Sequence, residues 1–179
     1  MKKINWTWVF GSLLAVAVVV VIGTYWWRQP KFINGTMAPD FAVELATGDS
    51  LRLSDLRGKL VLLDFWGSWC GPCRANSPSL VALYDQFHTQ KFETADGFEI
   101  VSIALETNAK QWATAIERDN LHWKYHTTEL RRMDATLAKK YGVREIPTTY
   151  LLNEQGIIIG VNLSALEISK LLTRKSVKN

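Results

Sequence analysis

Unbroken apolar runs alternate with amphipathic stretches along most of this chain. Leu60-Val61-Leu62-Leu63 opens a run that continues to Trp66. A continuous run of this kind suits a parallel strand covered on both faces. Phe98–Leu105 reads as a second such strand. Between them the spacing predicts a helix from about Cys73 to Gln90, with Pro72 tolerated in a first turn and Pro78 kinking the interior. Ala109–Asp119 reads as a helix with Trp112, Ala115 and Ile116 inward, Leu121–Tyr125 as a short strand, and Met133–Tyr141 as a helix closed by Gly142. Thr148–Leu152 and Gly156–Val161 read as strands joined by Asn153-Glu154-Gln155. A last helix runs from Ser164 to about Arg174, opened by the capping-box pattern Ser164-Ala165-Leu166-Glu167. Upstream, Phe41–Leu45 and Ser50–Leu53 alternate around Thr47-Gly48-Asp49 as a β-hairpin. Strands alternate with helices and end in a hairpin, which argues an α/β domain with a mixed central sheet flanked by helices.

The first segment follows a different pattern. Ile4–Trp27 carries no charge, and Val16–Ile22 is almost wholly β-branched aliphatic. A helix of that length crosses a hydrocarbon core of roughly 30 Å. Trp6, Trp8 and Phe10 at one end and Tyr25, Trp26 and Trp27 at the other form the interfacial belts expected of a spanning helix. A cleaved signal peptide has a shorter apolar region and small residues at its cleavage site, whereas Tyr25-Trp26-Trp27-Arg28 follows here. The reading is a retained signal-anchor. The expected organisation is a short cytoplasmic segment 1–5, a transmembrane helix 6–27, a linker 28–35, a folded domain 36–175 and a tail 176–179. Lys2 and Lys3 favour an inside N-terminus, although Arg28 and Lys31 oppose them. The expected location is therefore the cytoplasmic (inner) membrane, single-pass, with the domain on the periplasmic or other extracytoplasmic side.

Charge narrows the function classes. The chain of 179 residues has a formal net charge of +4. That excess comes from Lys2, Lys3, Arg28 and Lys31 around the apolar segment; from Gly35 onward acids and bases balance. No basic face for nucleic acid is evident.

The chemistry lies in Asp64-Phe65-Trp66-Gly67-Ser68-Trp69-Cys70-Gly71-Pro72-Cys73, which holds the chain's two cysteines. Their spacing, after a buried strand and at the start of a helix, suits a reversible disulfide. A helix N-terminus stabilises a thiolate, the attacking species in disulfide exchange. Cys70 would attack from the exposed helix tip. Cys73, about one turn deeper and shielded, would resolve the mixed disulfide. Asp64 is a charge within a buried strand, which is expensive. Beside the cysteines it reads as an acid/base of raised pKa that moves the Cys73 proton, through water. Trp69, next to the nucleophile, reads with Gly71 and Pro72 as contact surface for a substrate.

From these residues the chain resembles the thioredoxin superfamily, and within it the membrane-anchored TlpA/ResA-like branch, over roughly residues 36–174. Trp69-Cys70-Gly71-Pro72-Cys73 is the most specific match. Met37-Ala38-Pro39-Asp40-Phe41 is similar to the opening of TlpA-like and peroxiredoxin-like domains. Pro78 matches the kinked active-site helix, and the helix and strand between Glu106 and Thr128 resemble the insertion of this branch. The resemblance implies a thioredoxin-like fold and a reducing dithiol, since the thioredoxin Cys-Gly-Pro-Cys pair is a reductant. It implies that Gly142-Val143-Arg144-Glu145-Ile146-Pro147-Thr148 carries a cis-proline at Pro147, with the Ile146 backbone beside Cys70 for a substrate strand. It also implies an active-site glutamate at Glu106, at the end of the Phe98–Leu105 strand, which lacks the buried lysine of plain thioredoxins. The expected partners are disulfide-containing protein substrates, such as apocytochrome c during cytochrome c maturation, and a membrane or extracytoplasmic thiol electron donor. No cofactor beyond the redox-active disulfide is expected.

Three other readings are weighed. A zinc site could pair the cysteines with His122 and His126, but the gap from Cys73 far exceeds that of a finger, so no metal is expected. With His88, these read as ordinary surface or packing histidines. Peroxide reduction is the alternative activity, yet the residues before Cys70 lack the Pro-x-x-x-Thr-x-x-Cys pocket it needs. A tethered interaction module with an inert disulfide is the non-enzymatic alternative.

Overall fold

The structure is a computed structural model that describes residues 6–28 and 31–177, without the side chains of residues 6, 7, 9, 27 and 28. The expected segment 1–5 and the last two residues of the expected tail lie outside the described residues. Helix α1 spans Trp6–Arg28. Among the described residues no helix is long and apolar enough to cross a membrane.

The folded domain is built on a five-stranded sheet of order β5-β4-β3-β6-β7. Its strands are β3 (Leu60–Trp66), β4 (Phe98–Leu105), β5 (Tyr125–Glu129), β6 (Thr148–Leu152) and β7 (Ile158–Val161). β3, β4 and β5 are parallel, whereas β6 and β7 are antiparallel to their neighbours. The hairpin of β1 (Ala42–Glu44) and β2 (Ser50–Arg52) forms a separate two-stranded sheet.

Side-chain alternation along β3 divides the core into two layers. Leu60, Leu62 and Trp66 face a layer that holds Leu80, Leu83 and Phe87 of α2 (Gly71–Phe87). Trp112 and Ala115 of α3 (Ala109–Arg118) and Ile168 and Leu172 of α5 (Ala165–Lys175) complete it. Val61, Leu63 and Phe65 face the other layer, with Phe41, Leu51, Leu53 and Tyr141 of α4 (Thr136–Tyr141). All residues of β3 and β4 are buried. Each such apolar side chain contributes roughly 1.5–3 kcal/mol of burial free energy.

Tyr141 organises the second layer. Its hydroxyl donates to the Pro39 carbonyl at 2.6 Å, and the Tyr150 hydroxyl donates to the Tyr141 carbonyl at 3.0 Å. The chain just after α1 is docked on this layer: the Phe32 ring meets Tyr141 edge-on at 5.9 Å. Lys31 lies against Gly142, whose φ of +64° closes α4 in the left-handed region. Backbone bonds from Gly35 and Ala38 to the carbonyls of Ile158 and Gly156 continue that seam.

Several boundaries depart from the sequence expectations. The inserted strand is Tyr125–Glu129, not Leu121–Tyr125. Leu121 and Trp123 are buried as core-filling loop residues, and the strand itself is polar and half-buried, so hydropathy points to the wrong segment. The helix expected over 133–141 is a short 3-10 turn, Arg132–Asp134, followed by α4. Ala135, extended at φ −55° and ψ 143°, breaks it, and the Glu129 carboxylate accepts the first amides of α4, from Thr136 and Leu137. α2 begins at Gly71 and ends at Phe87 rather than Gln90. β1, β2 and β7 are shorter than the alternation implies; Leu53 belongs to a 3-10 turn, Leu53–Leu56, and a register shift interrupts β6–β7 pairing.

The capping box of α5 forms as expected. Ser164 Oγ accepts the Glu167 amide at 3.3 Å, and the Glu167 carboxylate accepts the Ser164 amide at 2.8 Å. Ser164→Ala is expected to lower stability by about 1 kcal/mol in urea unfolding, with the fold retained.

Candidate active site

β3 leaves the sheet at Trp66, and Gly67-Ser68-Trp69 carries the chain to Cys70, the N-cap of α2. Cys70 and Cys73 form a disulfide with Cα atoms 5.3 Å apart. The Cys73 amide points at Cys70 Sγ from 3.2 Å. That donor, with the positive end of the α2 dipole, is placed to stabilise a thiolate on Cys70 once the pair is reduced. The exposure contrast expected between the two cysteines is absent: Cys70 is 5% and Cys73 4% exposed. Oxidation ties Cys70 against the helix, so its distinct role rests on helix position rather than accessibility.

Around the disulfide, Trp69, Gly71, Pro72 and Pro147 are exposed and Ile146 half-buried. The Ile146–Pro147 bond is cis. The Ile146 carbonyl oxygen lies 3.8 Å from Cys70 Sγ, so a main-chain acceptor borders the sulfur as the resemblance implied. Trp69 is held as a platform. Its indole N–H donates to the Leu105 carbonyl at 2.8 Å, and the Arg132 guanidinium lies 5.1 Å from the ring centre. Gly67 makes this pose possible: a Cβ there would stand 2.8 Å from Trp69 Nε1 and 3.3 Å from Ile146.

Asp64 alternates onto the same face of β3 as Leu62 and Trp66, the layer that holds both cysteines. It is 4% exposed. Burial lifts its carboxyl from the ordinary 3.8 to about 7, against a hydrogen bond from Ser102 that pulls down. A relay supports it: the Trp123 indole N–H donates to Ser102 Oγ at 3.1 Å, and Ser102 Oγ donates to Asp64 at 3.3 Å. Glu106 is 1% exposed, just past the end of β4. Its carboxylate accepts the Ser68 amide and, at 3.1 Å, the Ser68 hydroxyl. Glu106 therefore clamps the loop ahead of Cys70.

The histidines are engaged elsewhere. His122 pairs with Asp85 at 2.8 Å, and burial holds His126 near a pKa of about 4, neutral. Among the described residues no group of three or more His, Cys, Asp or Glu side chains is placed to hold a metal ion.

Residues 34–161 match the AhpC/TSA family. The chain belongs to that family. It is 30% identical over 166 residues to the thiol-disulfide oxidoreductase ResA of Halalkalibacterium halodurans, covering 90% of this chain and 89% of that protein. ResA of Bacillus subtilis is 32% identical over 128 residues, 72% of this chain and 66% of that one. The thioredoxin domain of a thiol-disulfide oxidoreductase from Bacteroides vulgatus matches with a TM-score of 0.68 at 26% identity, over 79% of this chain and 99% of that domain. Within the AhpC/TSA family, this member is a ResA/TlpA-like thiol-disulfide oxidoreductase of the thioredoxin superfamily.

Four supporting residues escape a reading of the sequence: Gly67, Ser68, Ser102 and Trp123. Only Ser102 leaves a signal, as the polar member of the apolar run Ile100–Leu105. The others matter through contacts made across the fold.

Two expectations follow from these contacts. Between pH 3.8 and about 7, folded Asp64 keeps a proton that the unfolded chain has lost. The Asp64 contribution to stability should slope downward as pH rises through that window and stay level above it. Buried neutral His126 contributes the opposite slope between about pH 4 and 6.5, so the Asp64 slope is read as the difference between wild type and variant. Asp64→Asn should remove this slope, leaving the variant more stable at pH 8 by up to about 4 kcal/mol and nearly unchanged at pH 4 in urea unfolding. Glu106→Ala strands the Ser68 amide and hydroxyl, and should cost about 1–3 kcal/mol by the same measurement.

Proposed function

We propose that this oxidoreductase reduces disulfides in extracytoplasmic proteins while tethered to the membrane by α1. The observation that carries the reading is Cys70 at the N-cap of α2, with the Cys73 amide on its sulfur and the Ile146 carbonyl beside it. Cys70 thiolate attacks a substrate disulfide, forms a mixed disulfide and releases one substrate thiolate. Cys73 thiolate then attacks Cys70 Sγ and releases the second. Two electrons pass to the substrate, and the protein is left with the Cys70–Cys73 disulfide seen here. Asp64, with a carboxyl near neutrality, takes the Cys73 proton in the resolving step. Glu106 acts by holding the loop. An extended substrate strand pairs with the Ile146 backbone and rests on Trp69, Gly71, Pro72 and Pro147. An extracytoplasmic or membrane thiol donor restores the dithiol, with no cofactor beyond the disulfide.

The tether rests on the uncharged stretch Ile4–Trp27 and its terminal aromatics. A dithiol on the outer face is useful where disulfides form. The names of the ResA relatives support disulfide chemistry. Apocytochrome c is the substrate class we favour, in cytochrome c maturation, among oxidised extracytoplasmic proteins. Leu63 and Gly67 stand where the peroxidase pattern needs proline and threonine, which argues against peroxide reduction.

Cys73→Ser, expressed as the full chain, should accumulate mixed disulfides with extracytoplasmic proteins in the membrane fraction, and Cys70→Ser should accumulate none. Turnover with a protein disulfide should be abolished in both. Recovery of the full chain from the soluble fraction would overturn the tether. Turnover of peroxide but not of disulfides would overturn the reductase reading.

A further inference from the structure

A groove of about 470 Å³ opens beside the active-site loop, between Trp69, the first turn of α2 and the exposed face of α3. Its size is that of a site for a peptide or small ligand. Its charge is one-sided. Arg74, Lys110 and Arg118 line it, and no acidic side chain does. Arg74 is spent on a two-pronged pair with Asp119, at 2.7 Å from its Nε, which also locks α3 to α2. Lys110 and Arg118 are exposed and have no carboxylate within ion-pair distance among the described residues.

The spacing selects the shape of the occupant. Lys110, Thr114 and Arg118 recur every fourth residue of α3 and share one face. Lys110 and Arg118 are thus about 12 Å apart along the helix axis. In an extended polypeptide, residues i and i+4 point the same way and lie about 13 Å apart. Two acidic side chains at that separation would meet both cations. The Trp69 ring, 45% exposed, continues the groove toward Cys70.

We propose that this groove binds an extended acidic segment of the protein whose disulfide the Cys70–Cys73 pair reduces. The proposal rests on the reductase reading above. The segment approaches along α3, its carboxylates meet Lys110 and Arg118, and its cysteine reaches Cys70 past Trp69.

The test uses the full chain, pre-reduced so that a single turnover needs no electron donor. Two peptides share one disulfide and differ at two positions four residues apart, both Glu in one and both Lys in the other. A neutral disulfide, 2-hydroxyethyl disulfide, is the control. The Glu peptide should react about tenfold faster than the Lys peptide at low salt, a ratio that shrinks at high salt as exposed charges are screened. Lys110→Glu/Arg118→Glu should invert the ratio, and Lys110→Gln/Arg118→Gln should abolish it. All three proteins should reduce the neutral disulfide equally. Equal rates for both peptides in the wild type, or a ratio unmoved by both double variants, would overturn the groove. Binding of cysteine-free versions of the peptides, read by titration calorimetry, decides the groove separately. Failure on the neutral disulfide with charge-selective binding intact would remove the reductase reading and leave the groove.

Discussion

Everything at this site depends on the burial of β3. With its seven residues covered on both faces, the strand must exit at one end of the sheet. Its parallel partner β4 ends at the same edge. That edge is where α2 begins, so the sulfur of Cys70 meets a helix N-terminus without any device of its own. β6 runs antiparallel beside β3, so its start lies at the same edge and delivers Ile146 and Pro147 to the other side of the sulfur. The redox site is the place where two buried strands end and a third begins.

A dry interior then sets the chemistry. Asp64 would be ionised at neutral pH in water, and burial holds it near the midpoint of its titration. A group half-protonated at working pH is suited to both giving and taking a proton. The neutral donor Ser102, itself held by the Trp123 indole, hydrogen-bonds the buried carboxylate without fixing it fully charged, as an arginine would. Glu106 shows a different use of a buried acid, with its oxygens consumed by a loop whose position decides where Cys70 stands.

The sequence made the scaffold legible where hydropathy and geometry agree. β3, β4, α3 and α5 follow their apolar patterns, and Cys70, Cys73, Asp64 and Pro147 stand out by chemistry in context. The insertion is less legible because its strand carries Tyr-His-Thr-Thr-Glu, whose stability comes from pairing with β4 and not from an apolar stripe. α4 was blurred because a carboxylate from β5, rather than a neighbouring residue, caps it. Gly67 and Ser68 were invisible because each acts on a residue more than two positions distant or through a folded-back indole. Contacts between elements have no period, so a linear pattern cannot carry them.

The docked chain after α1 has a mechanical consequence. Lys31 and Phe32 are already seated on α4, and only three peptide steps separate Lys31 from Arg28, the last residue of α1. At about 3.3–3.6 Å per residue, such a connection spans roughly 11 Å at most. With α1 held in a bilayer, the catalytic domain is therefore no free-ranging head on a long leash. Under the tether proposed above, it would sit as a fixture close to the lipid surface, and clients and electron donor would have to present their sulfurs within that thin layer.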